Sequence, residues 1–145
     1  MADQRMTESE REEFLAGLHV GVLGIERADG PPLVLPVWYS YEPSGEVVVL
    51  TTGSSLKGRL AAAAGRASLC AQEEALPYKY VSVEGSLEID ELGDDAHDAV
   101  VPMAVRYLGE EMGQAYAANS SAPDEIRIRL RPERWYSVDY GKTPA

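Results

Sequence analysis

Lys57, Arg59 and Arg66 stand in a stretch from Thr51 to Gln72 that contains no Asp or Glu, within a chain whose formal charge is −11. A local excess of base in so acidic a protein marks an anion site. The stretch leaves the apolar run VVVLTT, turns through Gly53, Ser54 and Ser55, and enters an alanine-rich helical run with Lys57 and Arg59 near its first turn. Backbone N–H groups at a helix start have no intrahelical partner, and the helix dipole favours negative charge there. Those N–H groups, the hydroxyls and the two cations would converge on one point, which is the physics of a phosphate cradle. The alternative is ordinary surface charge on an amphipathic helix; the acid-free context weighs for the cradle.

Aromatic residues flank this stretch on both sides. Pro36, Val37, Trp38 and Tyr39 precede it in an apolar run, and Pro77, Tyr78 and Tyr80 follow it. Beside a phosphate cradle they could line a site for a planar phosphorylated ring, although core packing accounts for Trp38 and Tyr80 almost as well. Pro36 has no backbone donor and belongs on an edge or at a bulge. Arg66 and Lys79 would join the cluster if strand pairing brought them near.

The elements that must position these groups are mostly strands. Thr7 and Glu10 form a capping-box pattern ahead of a short helix limited by Gly17. Strand runs follow at His19 to Ile25, Leu33 to Tyr41 and Glu46 to Thr52, separated by turn sequences. A helix over about Ser54 to Ala64 ends at Gly65. SLCAQ and the run Tyr78 to Ile89 are further strands, the second with Val81 and Val83 on one face and Tyr80, Ser82 and Glu84 on the other. A helical stretch is expected from about Asp94 to Ala118, with Pro102 either starting its main segment or kinking it. Glu125 to Leu130 and Trp135 to Asp139 close the chain. The expected fold is mainly β: one domain over residues 1–145, built as a small antiparallel barrel of six or seven strands with short flanking helices. A sandwich is the alternative.

Composition removes other functions. The negative charge opposes broad binding to nucleic acid or anionic membrane. The chain lacks G-x-G-x-x-G, the P-loop pattern, H-E-x-x-H and C-x-x-C, and it has only two histidines, so neither a Rossmann site nor a metal site is expected. The single Cys70 lies in an apolar run and reads as packing. His19 reads as a wall residue and His97 as a surface group. No nucleophile, base and orienting group form a recognisable set, so no catalytic side chain is assigned. The segment Glu84 to Asp98 carries seven acids and no Lys or Arg, and reads as a solvated hairpin edge leading into a helix start. Neither a signal peptide nor an apolar stretch long enough to span a membrane is apparent, and a cytoplasmic, soluble protein is expected.

Taken in order, LVLPVWYSY, the segment from Thr51-Thr52 to Lys57-Gly58-Arg59-Leu60, GRASLCAQ, PYKYVSVEG and RIRLRPERWYSVDYGK resemble the pyridoxamine 5′-phosphate oxidase-like split-barrel proteins. The resemblance spans about residues 10–142 and is closest to the branch that binds the deazaflavin F420. It implies a split β-barrel homodimer with the cofactor in a groove at the subunit interface. Lys57 would take the phosphate-binding role, Ser54 or Ser55 would add hydroxyl contacts with Thr51 just before them, and Arg59 would lie beside the phosphate or tail. Pro36, Val37 and Trp38 would flank the ring, and Pro77 and Tyr78 would approach it from neighbouring strands. The implied activity is F420-dependent hydride transfer to a conjugated small molecule. FMN in the same groove, or a binding or sensor protein without turnover, are the alternatives. The Tyr78 hydroxyl could then stabilise charge on a substrate carbonyl, with simple packing on its strand as the alternative.

Overall fold

A computed structural model describes residues 3–120 and 122–142. The chain runs α1 (Glu8–Ala16), β1 (Gly21–Ile25), β2 (Leu33–Val37), β3 (Val47–Thr52), α2 (Leu56–Ala64), β4 (Arg66–Glu73), β5 (Lys79–Glu91), α3 (Ala96–Leu108), α4 (Glu110–Ser120), β6 (Glu125–Leu130) and β7 (Arg134–Asp139). A single 3-10 turn at Gly93–Asp95 leads into α3.

All strand pairings are antiparallel, in the order β2-β1-β4-β5-β6-β3, and β7 adds to β5. The long β5 makes the barrel split. Its first half pairs with β4 and β7, and its second half, Leu87 to Glu91, pairs with β6. Gly85 sits at the crossover because the Arg131 carbonyl passes where a side chain would stand, 1.7 Å from an ideal Cβ. The curl is completed by one isolated bridge between Ser40 and Val48, which ties the chain after β2 to β3.

Alternation fills the interior. Leu23, Ile25, Val47, Val49, Leu69, Ala71, Val81, Val83, Ile126, Ile128 and Leu130 are buried inside the curl, together with Leu15 of α1 and Tyr39. Burial of each large apolar side chain contributes about 1.5–3 kcal/mol before chain entropy is counted. The capping box at Thr7 and Glu10 forms with both reciprocal hydrogen bonds, 2.8 and 3.2 Å long, and Gly65 ends α2 in the left-handed region at φ 67°. Thus seven strands and the first two helices match the sequence reading.

Two expectations are corrected. Pro102 does not start the main helical segment but lies in the middle of α3, and the expected single stretch breaks into two helices at Gly109, where φ is 85°. The break lets α4 fold back against α3, and Gly113 lies so close to Val105 that a Cβ would come within 2.6 Å of its backbone. Nor is the acidic run simply solvated. Arg129 donates to Asp90 (2.8 Å), Glu88 (2.7 Å) and Glu46 (3.0 Å), gathering three carboxylates from β5 and the start of β3.

Candidate functional site

Between the barrel wall and the α3–α4 hairpin lies an open groove with a cavity volume of about 370 Å³. Pro36, Val37 and Trp38 form one side, Met103 and Tyr116 the other, and Lys57 and Glu125 contribute the charge. β2 is an edge strand, as Pro36 requires, and its pairing with Val22 leaves the proline exposed on the groove side.

The hairpin is pinned to the barrel by Arg106 and Tyr107. The Arg106 guanidinium donates to the carbonyls of Gly17 (2.7 Å), Ala16 (3.2 Å) and Tyr39 (3.2 Å), satisfying the exposed end of α1. The Tyr107 hydroxyl accepts from the Tyr39 N–H (3.0 Å) and lies 2.7 Å from the His19 carbonyl and 2.9 Å from that of Tyr39. Its ring stacks on Trp38 at 5.1 Å, and Tyr116 meets Trp38 at 5.2 Å with a 52° tilt. Trp38 is therefore held on two sides by aromatic neighbours and offers an edge-rigid wall to the groove.

Lys57 enters the groove from the first turn of α2. Gly58 beside it is buried because the helix start presses on the end of β3; a Cβ there would fall 2.4 Å from the Thr52 carbonyl. Burial pushes the Lys57 ammonium down, and the Glu125 charge acts the other way. No hydrogen bond or ion pair reaches the ammonium among the described residues.

The hydroxyls are already engaged. The Ser55 hydroxyl accepts from the Gly58 N–H at 3.0 Å and donates to the Thr52 carbonyl at 2.7 Å, so it caps α2; the Thr51 hydroxyl lies 3.1 Å from it. Ser54 donates from both N–H (3.2 Å) and hydroxyl (2.5 Å) to Asp124, which these bonds hold below the ordinary carboxylate range. The stretch that is acid-free in sequence thus receives two acids, Asp124 and Glu125, from the start of β6. Folding supplies what the local sequence omits.

Other sequence-singled residues fall elsewhere. Arg59 is exposed one step further along α2. Arg66 pairs with Glu26, just past the end of β1, and Lys79 lies with Pro77 in a separate hollow beside His19 and Phe14. Pro77 and Tyr78 are exposed and do not line the Lys57 groove within one chain. His19 stacks on Phe14 at 4.4 Å and lies 3.1 Å from the Phe14 carbonyl, and burial lowers its pKa. Cys70 is half-buried with its thiol pushed up by burial, which suits packing. Glu125, Tyr116 and Met103 are groove residues that sequence reasoning missed. In EIRIRL, Glu125 shares a strand face with Arg127 and Arg129, opposite the core residues Ile126, Ile128 and Leu130, so alternation reads it as an ordinary outward polar residue and gives no signal.

A family model for pyridoxamine 5′-phosphate oxidase matches residues 7–139. The chain belongs to this family. A curated relative, the F420H(2)-dependent biliverdin reductase of Mycobacterium tuberculosis (strain CDC 1551 / Oshkosh), is 32% identical over 95 residues, covering 65% of this chain and 67% of that protein. Among solved structures, the conserved hypothetical protein Rv2991 from Mycobacterium tuberculosis superposes with a TM-score of 0.80 at 24% identity, covering 100% of this chain and 93% of that one. A structure described as F420 reductase gives 0.68 at 22% identity, over 86% of this chain and 94% of that one. The FAD and heme binding protein from Mycobacterium smegmatis gives 0.71 at 14% identity, over 99% and 76%. At these identities the structural likenesses speak to the split-barrel fold. Among the described residues no cluster of three or more His, Cys, Asp or Glu is placed to hold a metal, and no helix is long and apolar enough to cross a membrane.

Proposed function

We propose that the groove binds a phosphorylated flavin-type cofactor, F420 before FMN, and that the protein is an oxidoreductase using it for hydride transfer to a conjugated small molecule. The observation that carries this reading is Lys57: a half-buried ammonium without an ion pair, at the end of a groove walled by Pro36, Val37 and Trp38. A desolvated cation lacking a partner is costly unless a ligand supplies the opposite charge. The residues present therefore fit the group. The F420H(2)-dependent activity named for the mycobacterial relative favours the deazaflavin over FMN.

Lys57 would hold the phosphate, with Arg59 beside it or along the tail. Pro36, Val37 and Trp38 would flank the ring and keep water from one face. Ser55 and Thr51 act through α2, fixing the turn from which Lys57 projects, and Ser54 is available to the anion only if Asp124 releases it. The bound cofactor supplies the hydride, because no side-chain set here accepts or donates one.

The assembly completing this site is a homodimer. Val22, Val34 and Pro36 are exposed cross-strand neighbours next to the groove mouth, an apolar face that a second copy would cover. Pro77 and the half-exposed Tyr78 reach a Lys57 groove only across such a pair. Tyr78 would then place its hydroxyl toward a substrate carbonyl. Replacement by Phe checks this; unchanged turnover removes the role.

Titration with F420, followed by its fluorescence, and with FMN, followed by flavin absorbance, tests the cofactor reading. Reoxidation of the reduced complex by enones, quinones and tetrapyrroles then tests turnover. Tight binding without accelerated reoxidation would make the protein a cofactor carrier or sensor, and absence of binding to both would overturn the proposal.

A further inference from the structure

Glu125 is the one charged residue among the described residues that is buried, at 7% exposure, and it lines the same groove as Lys57. Its backbone is committed to the fold, donating to the Ala122 carbonyl and accepting from the Leu92 N–H, both at 3.1 Å. Its carboxyl takes no hydrogen bond among the described residues. Burial and the neighbouring Asp124 charge raise its pKa, and Lys57 lowers it. The surrounding elements bring few other charges. α2 supplies Lys57, Asp124 is tied to Ser54, Glu91 on β5 pairs with the next residue, Ile126, and β3 places Thr52 opposite. α3 and α4 contribute Val100, Met103, Ala104, Tyr116 and Ser120 to the groove.

We propose that Glu125 sets the charge of the anion this groove accepts, favouring a singly charged phosphodiester over a dianionic phosphate monoester, which enters only together with a proton on Glu125. The inference rests on the groove being a phosphorylated-cofactor site. With Glu125 ionised, its charge offsets part of the Lys57 field in the groove, although no ion pair joins the two. A diester then adds one uncompensated charge beside the buried Glu125, and a monoester dianion adds two. Protonating Glu125 frees the ammonium for the ligand. F420 carries its phosphate as a diester and FMN as a monoester, so one carboxyl discriminates between them.

The sign follows from linkage. A bound anion raises the pKa of Glu125 above its value in the free protein. Below the free value Glu125 is neutral in both states and makes no difference. Between the free and bound values binding takes up a proton, and affinity falls with rising pH by at most about tenfold per unit.

Calorimetric titration of wild type and Glu125→Gln with FMN and with F420, between about pH 6 and pH 8.5 and in buffers of different ionisation enthalpy, tests this. Comparison of the two proteins cancels the ligands' own titration. At about pH 8 the variant should bind FMN roughly tenfold more tightly than wild type, F420 should change by less than about threefold, and the extra proton taken up with FMN should vanish. Glu125→Ala, checked for folding by thermal unfolding, must move the FMN-to-F420 ratio in the same direction. An unchanged ratio and proton count, with both ligands binding, overturns the role of Glu125 alone. Failure of both ligands to bind wild type and variants overturns the proposed function and this inference with it.

Discussion

Two charge clusters in this molecule use the same residue types to opposite ends. On the face of β3, β6 and β5, Arg129 is shared among Glu46, Glu88 and Asp90 at 2.7–3.0 Å, with Val48 and Glu88 directly opposite it in the register. In the groove, Lys57 has no ion pair and lies beside a buried Glu125 whose own carboxyl is unbonded. The first cluster is saturated: each donor edge of the guanidinium has an oxygen, and nothing remains for a ligand. In the second, neither charge has a hydrogen-bonded or ion-paired partner among the described residues. What separates structure from function here is whether the fold completes the pairing, and not how many charges gather.

The comparison breaks first if the ground under the groove can change without consequence. Gly58→Ala places a Cβ 2.4 Å from the Thr52 carbonyl, so α2 must move off β3. A loss of about 2–3 kcal/mol in chemical denaturation is expected, accompanied by weakened cofactor binding. Arg129→Met tests the saturated cluster. It should lower stability in thermal unfolding by leaving three carboxylates close together, yet leave cofactor affinity unchanged.

The same cluster carries a pH signature. Arg129 holds the Asp90 carboxyl below its ordinary range. A depressed carboxylate stabilises the folded state above its unfolded pKa, and that contribution is lost as pH falls through the folded value. Thermal unfolding in acid should therefore show wild type losing more stability than Arg129→Met below about pH 4. Parallel curves would contradict the assignment. Asp124→Asn gives the smallest effect: it loosens the hold on Ser54 and removes a negative charge beside the anion site, so cofactor affinity should rise by about two- to fivefold. Equal affinity in titration would show that Ser54 takes no part.

Legibility differed between these regions for a physical reason. Strand alternation, the Thr7–Glu10 box and Gly65 are local signals, and each specified its element. Gly109 was legible as a helix breaker only against the competing signal of Pro102. Lys57 with Pro36, Val37 and Trp38 was readable because the acid-free stretch and the edge proline stand out in composition. The approach of Asp124 and Glu125 to that stretch depends on β3 pairing with β6, a contact between distant segments that no local pattern encodes. The anchoring of Tyr107 on His19 and Tyr39 is hidden for the same reason. Pro77 and Tyr78 lie apart from the groove in one chain, and only the proposed second copy would bring them to it.

On this reading Lys57 awaits an anionic cofactor, whereas Arg129 does not. Calorimetric titration of wild type, Lys57→Ala and Arg129→Met with F420 and FMN, with circular dichroism melting curves of the same samples, addresses it most directly. A crossover is expected: Lys57→Ala binds about ten- to a hundredfold more weakly and melts like wild type, while Arg129→Met binds like wild type and melts earlier. Wild-type cofactor affinity in a folded Lys57→Ala protein would contradict it.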